Sequence, residues 1–329
     1  MPPDSTPPHA DGLAGSALER FDTPPWLWAA FLGGVAVLLL VDLLVLHRDA
    51  HEIRLREAAW TSAFWIALGL LFALPVAWLL SGAAAMQYLT GYVIEKSLSV
   101  DNVFVWAVMF QTISVPPRYQ HRVLFWGIFG ALVLRAVFIL AGVALLERLE
   151  WLLFVFGGLL LFTAWRVATH EVGEVHPERN PLLKLLRRYV PVTADFHGQR
   201  LFTRVAGRRF ATPLFVALVL VESTDVVFAV DSVPAILAVS RDPFVVFSSN
   251  AMAILGLRAL YFLLAGAQDR LVYLNKGLAV ILAYVGIKMI VSEWFHVPTL
   301  LSLGVIALVL SVTVWASLRR GAVALEDAP

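Results

Sequence analysis

Apolar residues in this chain run in blocks of about twenty, separated by short polar stretches, rather than in the one-faced or alternating patterns of a water-soluble fold. Blocks of that length cross the hydrocarbon core of a bilayer as α-helices. They predict spans over residues 24–46, 60–80, 87–110, 122–145, 150–169, 211–233, 246–267, 275–292 and 298–318, nine in all. Lipid offers backbone groups no hydrogen-bond partner, so the expected class is an all-α polytopic membrane protein. Composition agrees: 60% of the residues are hydrophobic and only 15% charged, giving a mean hydropathy of +0.79 that no ordinary soluble domain needs. Residues 1–23 are rich in Pro, Ser and Asp and lack the basic start and short apolar stretch of a cleaved signal peptide, so they predict a disordered tail. Residues 24–318 then form one transmembrane domain and 319–329 a C-terminal tail.

Orientation follows from Lys and Arg in the loops. Arg48, Arg54 and Arg56 follow the first span, Arg118 and Arg122 the third, and Arg270 and Lys276 the seventh. The long 171–209 connection, with Arg179, Lys184, Arg187, Arg188, Arg200, Arg204, Arg208 and Arg209, falls on the same side of a nine-span count, as do Arg319 and Arg320. The opposite loops hold little beyond Arg148 and Arg241. The expectation is an inner-membrane protein with its N-terminus outside and its C-terminus in the cytoplasm.

The net charge of +1 is accounted for by those loops, so nothing suggests a nucleic-acid partner. With no cysteine the chain forms no disulfide and offers no thiolate to zinc, copper(I) or an iron–sulfur cluster. No Walker A, GxSxG or HExxH pattern occurs, which removes support for ATP-driven transport and for the familiar hydrolases. The reading is a non-enzyme that requires no cofactor.

Spans 3–5 and 6–8 match weakly but in register. Asp101 in DNVFV pairs with Asp225 in DVVFA, Arg135 in LRAVF with Arg258 in LRALY, and Arg166 in FTAWR with Lys288 in VGIK. The intervals are 34 and 31 residues in one half and 33 and 30 in the other. Span 3 enters from outside and span 6 from inside, so the triplets predict inverted repeats, an architecture common among secondary transporters that bind substrate near the midplane.

Those repeats carry the chemistry. On span 3, Glu95, Ser99 and Asn102 share a face, with Asp101 about 100° from Asn102 and Ser97 one turn before Asp101. On span 6, Glu222 and Asp225 are i, i+3 neighbours and Ser232 lies two turns on, whereas Asp231 points away on an unbroken helix. Pro234 predicts a kink or unwound turn near residues 230–233 that would swing Asp231 toward Asp225. Five acids buried unpaired would cost about 12–18 kcal/mol at about 2.5–3.5 kcal/mol each. Arg135 and Arg258 can offset two, and Lys96 could partner Glu95, while Arg166 and Lys288 sit near helix ends where long side chains snorkel. The remaining deficit calls for a bound cation or for protons. The plainer alternative is that the acids and arginines only pin helices together.

Carboxylates, Asn102, the hydroxyls of Ser97, Ser99 and Ser232, and backbone carbonyls are hard oxygen donors suited to Mn²⁺, Ca²⁺ or Mg²⁺, and they do not choose among the three. Asn250 is a further polar group expected to line the site. Asp42 and His47 in DLLVLH are candidates for an acid and a proton relay at the cytoplasmic mouth, or for an interfacial pair.

At DLLVLH, EKSLSVDNVFVW, LVLVESTDVVFAVDSVPAI, NAMAILGLRALYFLL and GIKM the chain resembles the TerC family of integral membrane proteins, which includes the Alx proteins, over about residues 24–318. The resemblance implies a cytoplasmic-membrane protein linked to manganese export and to metal or tellurium-oxyanion resistance. It places the family's acidic positions on Asp42, Glu95, Asp101, Glu222, Asp225 and Asp231, with Asn102 and Ser232 alongside. The expected function is a proton-coupled exporter of a divalent metal, Mn²⁺ as transported substrate. The alternative, from another class, is a membrane scaffold of a resistance or envelope-stress complex that binds metal without moving it, with the 171–209 loop as docking surface for its partners.

Overall fold

The computed structural model describes residues 21, 23–41, 55–149, 151–169, 190–193, 195–205, 207–264, 273–292, 294–295 and 297–326, without the side chains of Asp101, Val205, Leu318 and residues 320–326. Asp42, His47, the loop arginines 48, 54 and 270, most of the 1–23 tail and residues 170–189 therefore lie outside the described residues.

Helices occupy all nine apolar blocks: α1 Pro25–Val41, α2 Leu55–Leu71 with α3 Ala73–Leu79, α4 Gly82–Thr112, α5 Pro117–Arg148, α6 Leu152–Thr169, α7 Pro213–Leu237, α8 Pro243–Leu255 with α9 Leu257–Leu264, α10 Leu274–Val291 and α11 Thr299–Glu326. Six stretches among the described residues are individually long and apolar enough to cross a membrane, and α8 with α9 makes a seventh if counted as one span. The 31-residue α4 is longer than most but carries Glu95, Lys96 and Asp101 at its centre. This is a multi-pass, all-α membrane protein. Large apolar side chains face outward along the spans, Trp78 with 85% of its surface exposed being an extreme case, as a lipid-facing surface requires.

Ends are set by local chemistry. The hydroxyl of Ser81 accepts from the Ala84 amide 3.0 Å away and starts α4, and Asp242 accepts from the Val245 amide at 2.9 Å and starts α8. Proline stands at the first turn of α5, α7 and α8, where its missing N–H is no loss. Within the long basic connection, Phe202–Val205 (β1) and Arg208–Ala211 (β2) form an antiparallel hairpin, which hydropathy alone does not reveal. Its turn uses Gly207 at φ 79°, in the region that favours glycine. Phe202 packs on Phe215 of α7, ring centroids 4.4 Å apart, and ties the hairpin to the membrane domain.

Two departures from the sequence expectation concern prolines and glycines. Helix α7 runs unbroken from Pro213 to Leu237 with Pro234 inside it, so the predicted opening at residues 230–233 is absent. Only about one turn of helix follows the proline, and the carbonyl it frees belongs to Val230 on the exposed face of α7. The seventh block, expected as one span, is two helices that meet at 41° between α8 and α9 at Gly256. The backbone there passes so close to α2 and α4 that a Cβ on Gly256 would lie 2.7 Å from the Cβ of Trp65 and 2.9 Å from Nζ of Lys96.

Buried α4 is the central element, touching α3, α7, α8, α9 and α11. It runs parallel to α8, with Gly91 against Ser249 and Lys96 against Ala253, and antiparallel to α7, with Gly91 near Ile236 and Glu95 beside Ser232. Likewise α5 runs parallel to α7, with Gly127 on Val221 and Gly142 on Leu237. Helices α6 and α10 pack antiparallel through Gly157 and Gly286, and a Cβ on Gly157 would meet the carbonyl of Gly286 at 3.0 Å. Small residues permit such backbone approach in membranes, where packing rather than water drives association. Gly157→Val is therefore expected to cost about 1–3 kcal/mol as an overpacked contact, read as a lowered unfolding temperature in detergent. Gly158→Val is the control, because nothing lies within 4 Å of its would-be Cβ. Equal shifts in the two variants would refute the assignment of Gly157 to the α6–α10 seam.

Candidate functional site

Four helices bring polar groups to a common depth. Glu95 lies near the middle of α4, Arg135 near the middle of α5, Asp225 at the middle of α7 and Asn250 within α8. All four are buried, Glu95 completely. Arg135 joins them. Its Nη1 contacts Glu95 Oε1 and donates to Ser232 Oγ at 2.9 Å, while Nη2 donates to Asp225 Oδ1 at 3.3 Å. Asn250 Nδ2 donates to the other oxygen of Glu95 at 3.0 Å. One guanidinium, planar and forked, thus links two acids and a hydroxyl that come from two different helices.

Several buried oxygens around this cluster have no hydrogen-bond partner among the described residues: Asp225 Oδ2, Asn250 Oδ1, Ser99 Oγ and Glu222 Oε2. Buried polar atoms are seldom left so, and those without partners call for a cause. All four are hard oxygen donors of the kind that Mn²⁺, Ca²⁺ and Mg²⁺ accept. Among the described residues no three Asp, Glu, His or Cys side chains converge closely enough to hold a metal by themselves, a statement that does not include the side chain of Asp101. The donor set is mixed: two or three acids supplemented by an amide and a hydroxyl.

The structure brings together Glu95, Asp225, Ser232, Asn250 and Arg135, all expected from sequence. Asn102 and Ser99 are buried on the same helix as Glu95, and Ser97 turns its hydroxyl back to the Val93 carbonyl of its own helix. Glu222 sits one turn before Asp225 with its carboxylate laid over Gly130 of α5, where any side chain would collide with it. Gly127 and Gly130, three apart on α5, are a signal for that close approach which the charge pattern does not carry.

Three assignments change. Asp231 accepts from Thr163 Oγ1 at 2.8 Å, on α6 and near Arg166, because on the unbroken α7 it points away from Asp225. Lys96 is not the hydrogen-bonding partner of Glu95. Its Nζ donates at 3.1 Å to the Ala253 carbonyl in the last turn of α8, a group that a helix end leaves without an intrahelical donor. Lys288 does not snorkel: it is buried in α10, and Nζ has no hydrogen-bond partner among the described residues. Arg258 is buried at the start of α9, as its place in the sequence suggests.

Known proteins place this arrangement in context. Residues 80–323 match the profile of the integral membrane protein TerC family. The chain is 48% identical over 308 residues to an uncharacterized membrane protein, STKORF319, of Myxococcus xanthus, covering 93% of this chain and 97% of that one. It is 45% identical over 309 residues to Alx of Salmonella typhi, named as a candidate membrane-bound redox modulator, covering 90% of this chain and 96% of that one. The Alx protein of Escherichia coli K12 is equally similar over the same length. No solved structure matches the chain.

Proposed function

The chain belongs to the integral membrane protein TerC family, and from that premise we propose that it is a secondary transporter that exports a divalent metal ion, Mn²⁺ above Ca²⁺ and Mg²⁺, through the buried site between α4, α5, α7 and α8. The observation that carries this reading is the set of buried oxygens without partners beside two buried acids held by a single arginine. A fold that only needed to pin helices would satisfy those atoms. Glu95 and Asp225 are the ligands at its centre, with Asp101 as the third acid by its place on α4 and Glu222, Asn102, Asn250, Ser99 and Ser232 as the surrounding donors. Asp231, turned to Thr163, drops to a role outside the cluster.

Helix directions support the inverted repeat. Exchanging α4 with α7, α5 with the α8–α9 pair and α6 with α10 turns the parallel α5–α7 pair into the parallel α8–α4 pair and leaves the antiparallel pairs antiparallel. Those directions also fit the nine-span count, with the N-terminus outside the cytoplasmic membrane and the C-terminus inside. Protons supply the driving force in this reading, since acids that release a metal on the far side can take up protons there. The Alx relatives are named for redox modulation. This chain has no thiol for such a role, whereas an ion carrier alters the redox balance of a cell only through its cargo.

The test is ion flux in proteoliposomes holding the purified full chain in the inside-out orientation, with Mn²⁺, Ca²⁺ or Mg²⁺ supplied and a proton gradient present or absent. Mn²⁺ uptake that exceeds that of the other two ions and responds to the gradient is the expected result. Flux of none of the three by well-folded protein would overturn the transporter and favour the metal-binding scaffold.

A further inference from the structure

From the position of Arg135 we infer that its guanidinium is a tethered counter-ion of the transport site, which occupies Glu95, Asp225 and Ser232 when no metal is bound and which the incoming divalent cation must displace. The inference rests on the reading of this site as a metal site and adds what holds the site between cargoes.

The geometry leads here by elimination of the simpler role. An arginine that merely neutralised a buried acid would be satisfied by one bidentate pair, the strong arrangement for guanidinium and carboxylate. Arg135 is spread instead. It reaches one oxygen of Glu95, one oxygen of Asp225 at 3.3 Å and the Ser232 hydroxyl at 2.9 Å, and its Nε has no partner among the described residues. It uses one oxygen from each acid and leaves Asp225 Oδ2 open. That is how a cation sits among ligands gathered from two helices, not how a single ion pair is built. The three groups it holds, on α4 and α7, are also those a metal would need first, so the guanidinium and a metal compete for the same oxygens.

Competition has a functional consequence. An exporter must return its empty site across the membrane, and Glu95 and Asp225 both charged at the midplane would make that return costly. A positive side chain already attached to the protein offsets one of those charges without leaving the site, and a proton taken up on release offsets the other. The cost appears in affinity: if the guanidinium holds the acids nine-tenths of the time, the apparent affinity for cargo is about tenfold weaker than the intrinsic one.

The experiment compares purified wild type with Arg135→Gln and Arg135→Lys on two readouts. One is equilibrium Mn²⁺ binding in detergent. The other is the ratio of net Mn²⁺ transport to Mn²⁺/Mn²⁺ exchange in proteoliposomes, since exchange never requires the empty site to cross. Arg135→Gln should bind Mn²⁺ about tenfold more tightly, following the occupancy argument, and its net transport should fall much further than its exchange. Arg135→Lys, which keeps the charge but cannot bridge three acceptors, should shift both readouts in the same direction by less. Should Arg135→Gln not fold, Arg135→Lys decides by the same criteria. Binding that stays unchanged or weakens, with net transport and exchange falling together, would show Arg135 to be only a structural clamp. Wild type that neither binds nor moves Mn²⁺ would overturn the metal site itself, and this inference with it.

Discussion

Asp225→Asn will reduce Mn²⁺ flux by at least about a hundredfold, the loss of roughly 2.7 kcal/mol of stabilisation of the bound or crossing ion, while the protein stays folded. The substitution removes charge and little else: Asn has the shape of Asp, and residue 225 is buried at the midpoint of α7 beside Arg135 and Glu222. Arg135 keeps Glu95 and Ser232, so the fold retains its principal pair. The same change at Asp101, which matches Asp225 in the DNVFV and DVVFA segments, should act alike. The measurements are Mn²⁺ flux in proteoliposomes and elution as a single species from a sizing column. Flux at the wild-type rate in a folded Asp225→Asn protein would remove this carboxylate from the site.

Breaking the Glu95–Arg135 pair from the basic side should be the most damaging single change to stability. Arg135→Leu strands the buried carboxylates of both Glu95 and Asp225. Removing one partner of a buried pair costs about 3–5 kcal/mol because the other charge remains buried, whereas replacing all the charged partners with uncharged residues is often neutral. The triple variant Glu95→Leu, Arg135→Leu, Asp225→Asn should therefore recover much of the lost unfolding temperature and none of the transport. A triple variant no more stable than Arg135→Leu would mean that the cost comes from packing rather than from charge.

Much of this site was legible in the sequence because intramembrane charges are expensive and need partners. Glu95, Arg135, Asp225, Ser232 and Asn250 could each be singled out by type and by place within an apolar block. What the sequence could not supply was the choice among partners. Lys96, adjacent to Glu95 but on another face of the helix, is one candidate on sequence grounds and Arg135 another, and the acid pairs with Arg135, forty residues on. Asp231 was read through Pro234, but a proline one turn from the end of a helix can be accommodated, and Thr163 of α6 carries no charge that would advertise it as a partner. Span positions were readable for the same reason as the acids: hydropathy reports length directly. The bend at Gly256 lies where Trp65 and Lys96 approach from two other helices, a contact that no local pattern encodes.

The two parallel helix pairs differ from the boundary between them. Inside each pair, glycines seat one helix on the other, Gly91 on Ser249 in one case and Gly127 and Gly142 on Val221 and Leu237 in the other. The polar bonds of the cluster also fall mostly inside a pair: Asn250 to Glu95 and Lys96 to Ala253 join α8 to α4, and Arg135 to Asp225 and Ser232 joins α5 to α7. At this depth, among the described residues, the side-chain bonds that cross the boundary meet at Glu95, which Arg135 and Ser232 reach from the other pair. Mechanically, the core is two beams pinned at one carboxylate, and whatever releases that carboxylate loosens the boundary while the bonds of Arg135 inside the α5–α7 beam remain.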